Sequence, residues 1–221
     1  PITLKTERGF ETGNTKHLWD IKKMRENHRV LAEFKYERRP VVRGYAGRTL
    51  YIDLSKNEIR EKPVSEEMKS QFTGGKGFDL KLLYDAINPS TRWDSEENEL
   101  VLAAGPLCGA TQYSGMGKCL SATVSPLTNI VCDSNAGGYF APYLKFAGFD
   151  AIEIRGKAME DVAVIVDGRE SVVRIETAPL EEVNAHLVAE QMTYMYAAED
   201  TDAERQKVAV VSAGRGSEHS Y

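Results

Sequence analysis

Four short runs bring backbone freedom close to positive or polar groups: TGGKG (73–77), GMGK (115–118), NAGG (135–138) and GRG (214–216). Glycines beside helix or strand ends let backbone amides come within hydrogen-bond reach of an anion. Two of the runs carry a lysine, Lys76 and Lys118, and a lysine next to exposed amides is the usual arrangement for a phosphate. Gly137 and Gly138 stand where a helix dipole would add to that attraction. Neither standard nucleotide loop fits. GxGxxG is absent, and GxxxxGK[ST] fails around Gly117 and Lys118 because Gln112 and Cys119 occupy its first and last positions. The chemistry indicated is phosphate binding by several backbone turns acting together.

Other reactive side chains are few. Cys108, Cys119 and Cys132 have no CxxC spacing and supply no complete zinc or iron-sulfur ligand set, so they read as small buried hydrophobes in a reducing compartment. His186, placed among acids on a helical stretch, reads as a solvated residue. His219 is assigned no role.

The elements that must position these residues follow from hydrophobic periodicity. Residues 48–54 and 58–62 alternate around a polar turn and read as a hairpin. Ser65 opens a helix that ends before TGGKG, and residues 78–86 form another. Strands are expected at 100–104, 118–124, 129–132, 151–155 and 207–212. Residues 106–117 read as a long glycine-containing loop. A hairpin of VAVIV and SVVRI is expected to turn tightly at Asp167-Gly168. Leu180 to Ala198 reads as an amphipathic helix, and residues 18–36 as a further helix. The helix after Gly138 carries Tyr139, Phe140, Tyr143, Leu144, Phe146 and Ala147, which leaves it almost no polar face.

The fold class is α+β with short, mainly antiparallel strands. The net charge of −5 is unevenly spread: residues 1–40 hold 10 Lys+Arg against 6 Asp+Glu. That contrast marks residues 1–40 as a basic, partly helical N-terminal extension and 41–221 as the main domain. Acidic residues interleaved in the extension, with no recognition motif, favour packing on a partner or on the main domain over nucleic-acid binding. No run approaches the ~18 apolar residues of a membrane span and no apolar signal core opens the chain, so the cytoplasm is expected.

Residues 45–157 resemble the N-terminal domain of the tungsten-containing aldehyde:ferredoxin oxidoreductase family. GRTLYIDLSKNEI, FTGGKGFDLKLLYD, ENELVLAAGPLCGA, SATVSPLT and SNAGGYFAPYLKFAGFDAIEIRGKA follow in that family's order and spacing. The resemblance implies two antiparallel sheets related by approximate twofold pseudo-symmetry, forming the base for a tungsten-bispterin (tungstopterin) cofactor. It places Lys118 at a phosphate-contacting arginine position, where the charge is kept but the planar fork is lost. It places Lys76 at a second arginine-type position and the Asn135 backbone carbonyl on a magnesium ion bridging the pterin phosphates. It sets Gly137 against the pterin and includes Gly77, Ala136 and Gly138 among the cofactor-binding residues.

The family's 4Fe-4S cluster ligands lie in later domains, so this chain is expected to ligate no cluster and to need remaining domains or a second subunit. The implied activity is oxidation of aldehydes to carboxylic acids, with electrons passing through the cluster to ferredoxin. LCG, TVSP and the AP before YLK suggest the active-site subunit of an aromatic acyl-CoA (benzoyl-CoA type) reductase as an alternative. The basic extension and the short length suggest a non-catalytic assembly module as another. On the pterin-binding reading the apolar helix after Gly138 is expected to be covered by cofactor and later domains.

Overall fold

The computed structural model describes residues 3–6, 9–12, 20–110, 112, 114–178 and 184–213. The chain divides into two compact units, one of Arg29–Ala178 and one that joins residues before Arg29 to residues after Ala178. In the smaller unit, strands β1 (Thr3–Thr6) and β2 (Gly9–Thr12) pair antiparallel. Helix α1 (Ile21–Asn27) lies against α5 (Ala185–Tyr196), with Met24 and Met195 buried between them. A short helix α6 (Asp202–Arg205) follows.

The larger unit holds β3 (Val30–Lys35), β4 (Arg48–Asp53), β5 (Glu58–Pro63), β6 (Glu99–Ala104), β7 (Cys119–Val124), β8 (Val131–Ala136), β9 (Ala151–Arg155), β10 (Val162–Asp167) and β11 (Val172–Thr177). Its helices are α2 (Glu66–Phe72), α3 (Lys76–Ala86) and α4 (Phe140–Ala147). A six-stranded sheet runs β5-β4-β9-β6-β7-β8, antiparallel except for β4 beside β9. A three-stranded antiparallel sheet runs β10-β11-β3. The architecture is α+β with two mainly antiparallel sheets, as the sequence indicates.

Local chemistry sets the element ends. After β4, the Asp53 side chain accepts from the Ser55 and Lys56 amides at 3.0 and 3.2 Å, and this turns the chain into β5. Ser65 caps α2 by accepting from the Met68 amide at 3.0 Å. α3 packs over the small side chains of Ala103, Ala122 and Ala151, which allow it close to the sheet. The opposite face of the sheet carries Leu50, Ile52 and Ile152 against Val173 and Ile175 of the three-stranded sheet.

α4 settles on that same face, burying Ala141, Leu144, Lys145 and Ala147. The apolar helix is therefore covered largely by its own unit, contrary to the expectation that cofactor and later domains cover it. Tyr139, at its N-cap, and Phe146 remain exposed.

Four local expectations are corrected. The helix expected over 18–36 ends at Asn27, because His28 is extended and Val30–Lys35 pairs with β11; strand pairing outweighs the helical spacing of Leu31 and Phe34. The β10–β11 turn spans four residues, since Asp167 pairs with Val172 and the Asp167 carboxylate accepts from the Arg169 and Glu170 amides. Residues 208–213 form no strand and find no ladder partner. β8 continues to Ala136 and α4 begins at Phe140, so Asn135 and Ala136 lie on a strand and Gly137-Gly138 joins strand to helix.

One buried ion pair ties the corner between α4 and β9. Lys145 and Asp150 are both buried and paired, Lys145 Nζ also donates to the Gly44 carbonyl at 2.9 Å, and Asp150 accepts from the Ala46 and Gly47 amides at 3.0 and 2.7 Å. Asp150→Ala would strand a buried ammonium and should cost about 3–5 kcal/mol in urea unfolding. A loss below about 1 kcal/mol would show that the corner holds without the pair.

Candidate functional site

β8 is an edge strand, and every residue of Val131–Ala136 is exposed. A strand in this position leaves half its backbone groups unpaired by the sheet. Its register with β7 fixes which side chains share a face: Asp133 sits opposite Ala122 and Asn135 opposite Leu120, whereas Ala136 sits opposite Cys119. Ala122 belongs to the core beneath α3, so Asp133 and Asn135 lie on the α3 side of the sheet.

Both lysines singled out from the sequence arrive on this side. Lys76, the first residue of α3, places Nζ 2.9 Å from Asp133 Oδ2. Lys118, just before β7, places Nζ 3.5 Å from Asn135 Oδ1. Two ammonium groups thus stand above residues two apart on one strand, roughly 7 Å along it. Beyond the strand, among the described residues, a Cβ added at Gly137 would meet only Lys118 Nζ, at 4.0 Å, and one added at Gly138 would meet nothing within 4 Å.

The glycines here have separate causes. Gly138 has φ +118°, which L side chains rarely adopt, and its carbonyl would stand 2.3 Å from a Cβ on Gly117. The loop before Lys118 is therefore pressed against the β8–α4 connection. At Gly77 a Cβ would stand 2.0 Å from the Phe72 carbonyl, so the close packing of α2 on α3 explains its identity. The structure therefore brings Lys76, Lys118, Asn135, Ala136, Gly137 and Gly138 to one edge, while Gly77 faces α2.

Two carboxylates at this edge carry no motif of their own. Asp133 bridges Lys76, and Asp79, three residues after Lys76 on α3, is 0% exposed with neither carboxyl oxygen hydrogen-bonded among the described residues. Burial first, and the charge of Asp133 second, push the Asp79 carboxyl up to about 8. The i, i+3 spacing in KGFD and the i, i+2 spacing in DSN were the available signals. Burial likewise raises the Cys119 thiol to about 12, which leaves it an unreactive thiol. Cys132 is exposed on β8, unlike the buried cysteine expected. His186 is exposed on α5 in the other unit, and both His219 and the GRG run lie outside the described residues.

Residues 49–221 match the family model described as aldehyde ferredoxin oxidoreductase, N-terminal domain. A tungsten-containing aldehyde ferredoxin oxidoreductase of Pyrococcus horikoshii is 37% identical over 59% of this chain and 21% of its own length. One from Pyrococcus furiosus is 32% identical over 80% of this chain and 28% of its own. Among solved structures, the active site complex BamBC of benzoyl coenzyme A reductase with 1,5-dienoyl-CoA matches with TM-score 0.64 and 34% identity, over 68% of this chain and 23% of that one. The chain thus spans between about a fifth and just over a quarter of these relatives.

The raised Asp79 carboxyl has a signed consequence for stability. Both states are protonated well below pH 3.8; as pH rises toward about 8 the unfolded chain ionises first, so folding loses stability across that window. Asp79→Asn removes this loss, and its urea midpoint should exceed the wild type's by more at pH 8 than at pH 4. An equal difference at the two pH values would contradict the buried neutral carboxyl.

Proposed function

The chain belongs to the aldehyde ferredoxin oxidoreductase family, and on that footing we propose that it is the tungstopterin-carrying base of an oxidoreductase that converts aldehydes to carboxylic acids. The observation that carries this reading is the β8 edge, where the Lys76 ammonium stands on Asp133 and the Lys118 ammonium stands on Asn135 and beside the space over Gly137. That arrangement fits the phosphates of a pterin cofactor. Charge-assisted hydrogen bonds from Lys76 and Lys118 would hold phosphate oxygens, and Lys118 acts as a point charge where an arginine would act as a fork. The Asn135 backbone carbonyl, on an edge strand, is the group we assign to a magnesium ion between those phosphates. Gly137 and Ala136 let the pterin approach the backbone closely, and Gly138 supplies the turn that opens that approach.

When bound, the tungsten-pterin group supplies two-electron chemistry in which an aldehyde and water give a carboxylic acid, protons and two electrons, the electrons leaving through a 4Fe-4S cluster to ferredoxin. This chain's share is to place the cofactor, balance its phosphate charge and support it on a rigid sheet. Cluster ligands and the rest of the pocket are assigned to further domains or a second subunit, in a reducing, cytoplasmic setting. Approximate twofold pseudo-symmetry of the complete base belongs to the same proposal.

A second reading is favoured by one observation, the match to the benzoyl coenzyme A reductase complex. In that reading the same base serves an aromatic acyl-CoA reductase. The two separate by activity: the isolated assembly should reduce ferredoxin with an aldehyde, whereas electron exchange with an aromatic acyl-CoA and none with aldehydes supports the second.

Lys118→Ala removes a charged partner of a phosphate, and should lower tungsten and pterin content per chain about tenfold. Unchanged content by elemental and pterin analysis would remove Lys118 from the site. At Gly137 a Cβ meets no described backbone atom within 4 Å, so Gly137→Val should lose cofactor while keeping its unfolding midpoint. Global unfolding of that variant would assign Gly137 a structural role.

A further inference from the structure

Asp79 is a buried carboxyl with no hydrogen-bond partner among the described residues, placed one turn along α3 from Lys76, whose own partner is Asp133. Both members of the Lys76–Asp133 bridge reach solvent, with side chains 56% and 34% exposed, whereas Asp79 is fully buried. The bridge presents a difficulty for phosphate binding. An ammonium held by a carboxylate is partly neutralised, and moving it to a phosphate oxygen leaves that carboxylate unpaired beside a low-dielectric helix–sheet interface.

We propose that Asp79 is a positioning residue for phosphate binding: its carboxylic O–H donates to Asp133 when Lys76 turns from Asp133 to a phosphate oxygen, so that the lysine is released without orphaning its former partner. The inference rests on the reading of the β8 edge as a phosphate site and adds a residue and a device to it. No proton leaves Asp79 in the exchange; one hydrogen bond between carboxyl groups replaces one ion pair. Among the described residues Lys118 Nζ meets the neutral Asn135 side chain and no carboxylate, so it needs no such release and the two lysines engage a diphosphate by different routes.

The charged and titratable groups around Asp79 agree with this. Asp133 lies on the α3 side of the sheet and its charge acts on Asp79, and Lys76 precedes Asp79 on its own helix. Cys119 of β7, on which the Asp79 charge acts, stays a neutral thiol to about 12, while Lys118 stands further along the same edge. Burial keeps Asp79 neutral to about 8, so the donor is present at neutral pH and lost above it.

The test is calorimetric titration of inorganic pyrophosphate into the 221-residue chain at pH 7 and pH 9. Each variant is compared with wild type at the same pH, so that the ionisation of pyrophosphate cancels. Asp79→Asn, whose amide donates without titrating, should match wild type at pH 7 and bind about tenfold more tightly than wild type at pH 9, where only about a tenth of Asp79 is protonated. Asp79→Leu, with no donor, should bind more weakly than wild type at pH 7. A constant ratio between wild type and Asp79→Asn at the two pH values, or wild-type affinity in Asp79→Leu at pH 7, would overturn the assignment while leaving the phosphate site standing. No pyrophosphate binding by the wild type at pH 7 would remove the phosphate site itself and this inference with it.

Discussion

The larger unit depends on the corner made by Lys145 and Asp150. Asp150 is buried and takes hydrogen bonds from the Ala46 and Gly47 amides and from Lys145, while its own amide donates to the Arg48 carbonyl at 2.8 Å. Its carbonyl accepts from Ala104 at 2.9 Å, and the Ala104 carbonyl in turn accepts from Gly75 at 3.2 Å. One residue thereby registers the start of β4, the end of β6 and the N-terminus of α3. Such a pair is costly to bury and holds only because every group finds a partner. Arg48 reinforces the corner from the other side, its guanidinium against the paired rings of Tyr36 and Phe149 and donating to the Glu61 carboxylate and to the Glu37 and Gly148 backbone carbonyls.

Because that corner fixes both α3 and the strand ends, Lys76 and Lys118 come to one face without a loop having to carry them there. The two lysines stand at the rim of the sheet, one as the first residue of a helix and the other just before a strand. The exposed edge of β8 is polar at Asp133, Ser134 and Asn135, a composition that resists accidental strand pairing. The same residues supply the oxygens around which the lysines are arranged.

Much of this was legible from the residues. Alternation gave the β4–β5 hairpin, the Ser65 cap gave α2, and the SPLT, NAGGYF and LKFAGFD runs carried the family relationship. The remainder was set by tertiary partners that no local pattern reveals. Val30–Lys35 has a spacing compatible with a helix and becomes a strand because β11 offers it a ladder. The apolar character of α4 looked like a surface awaiting a cofactor, yet the two sheets of its own unit absorb most of it. Nothing local in KGFD beyond the i, i+3 spacing marks Asp79; its burial, and the absence of a partner among the described residues, are what set it apart.

The central claim is that this chain carries a tungsten-pterin group at the β8 edge. The most direct measurement is tungsten and pterin stoichiometry in the native assembly that contains the chain, by elemental analysis and by quantifying released pterin. The account predicts one tungsten and two pterins for each copy of the chain. A stable, folded native assembly holding neither would contradict it.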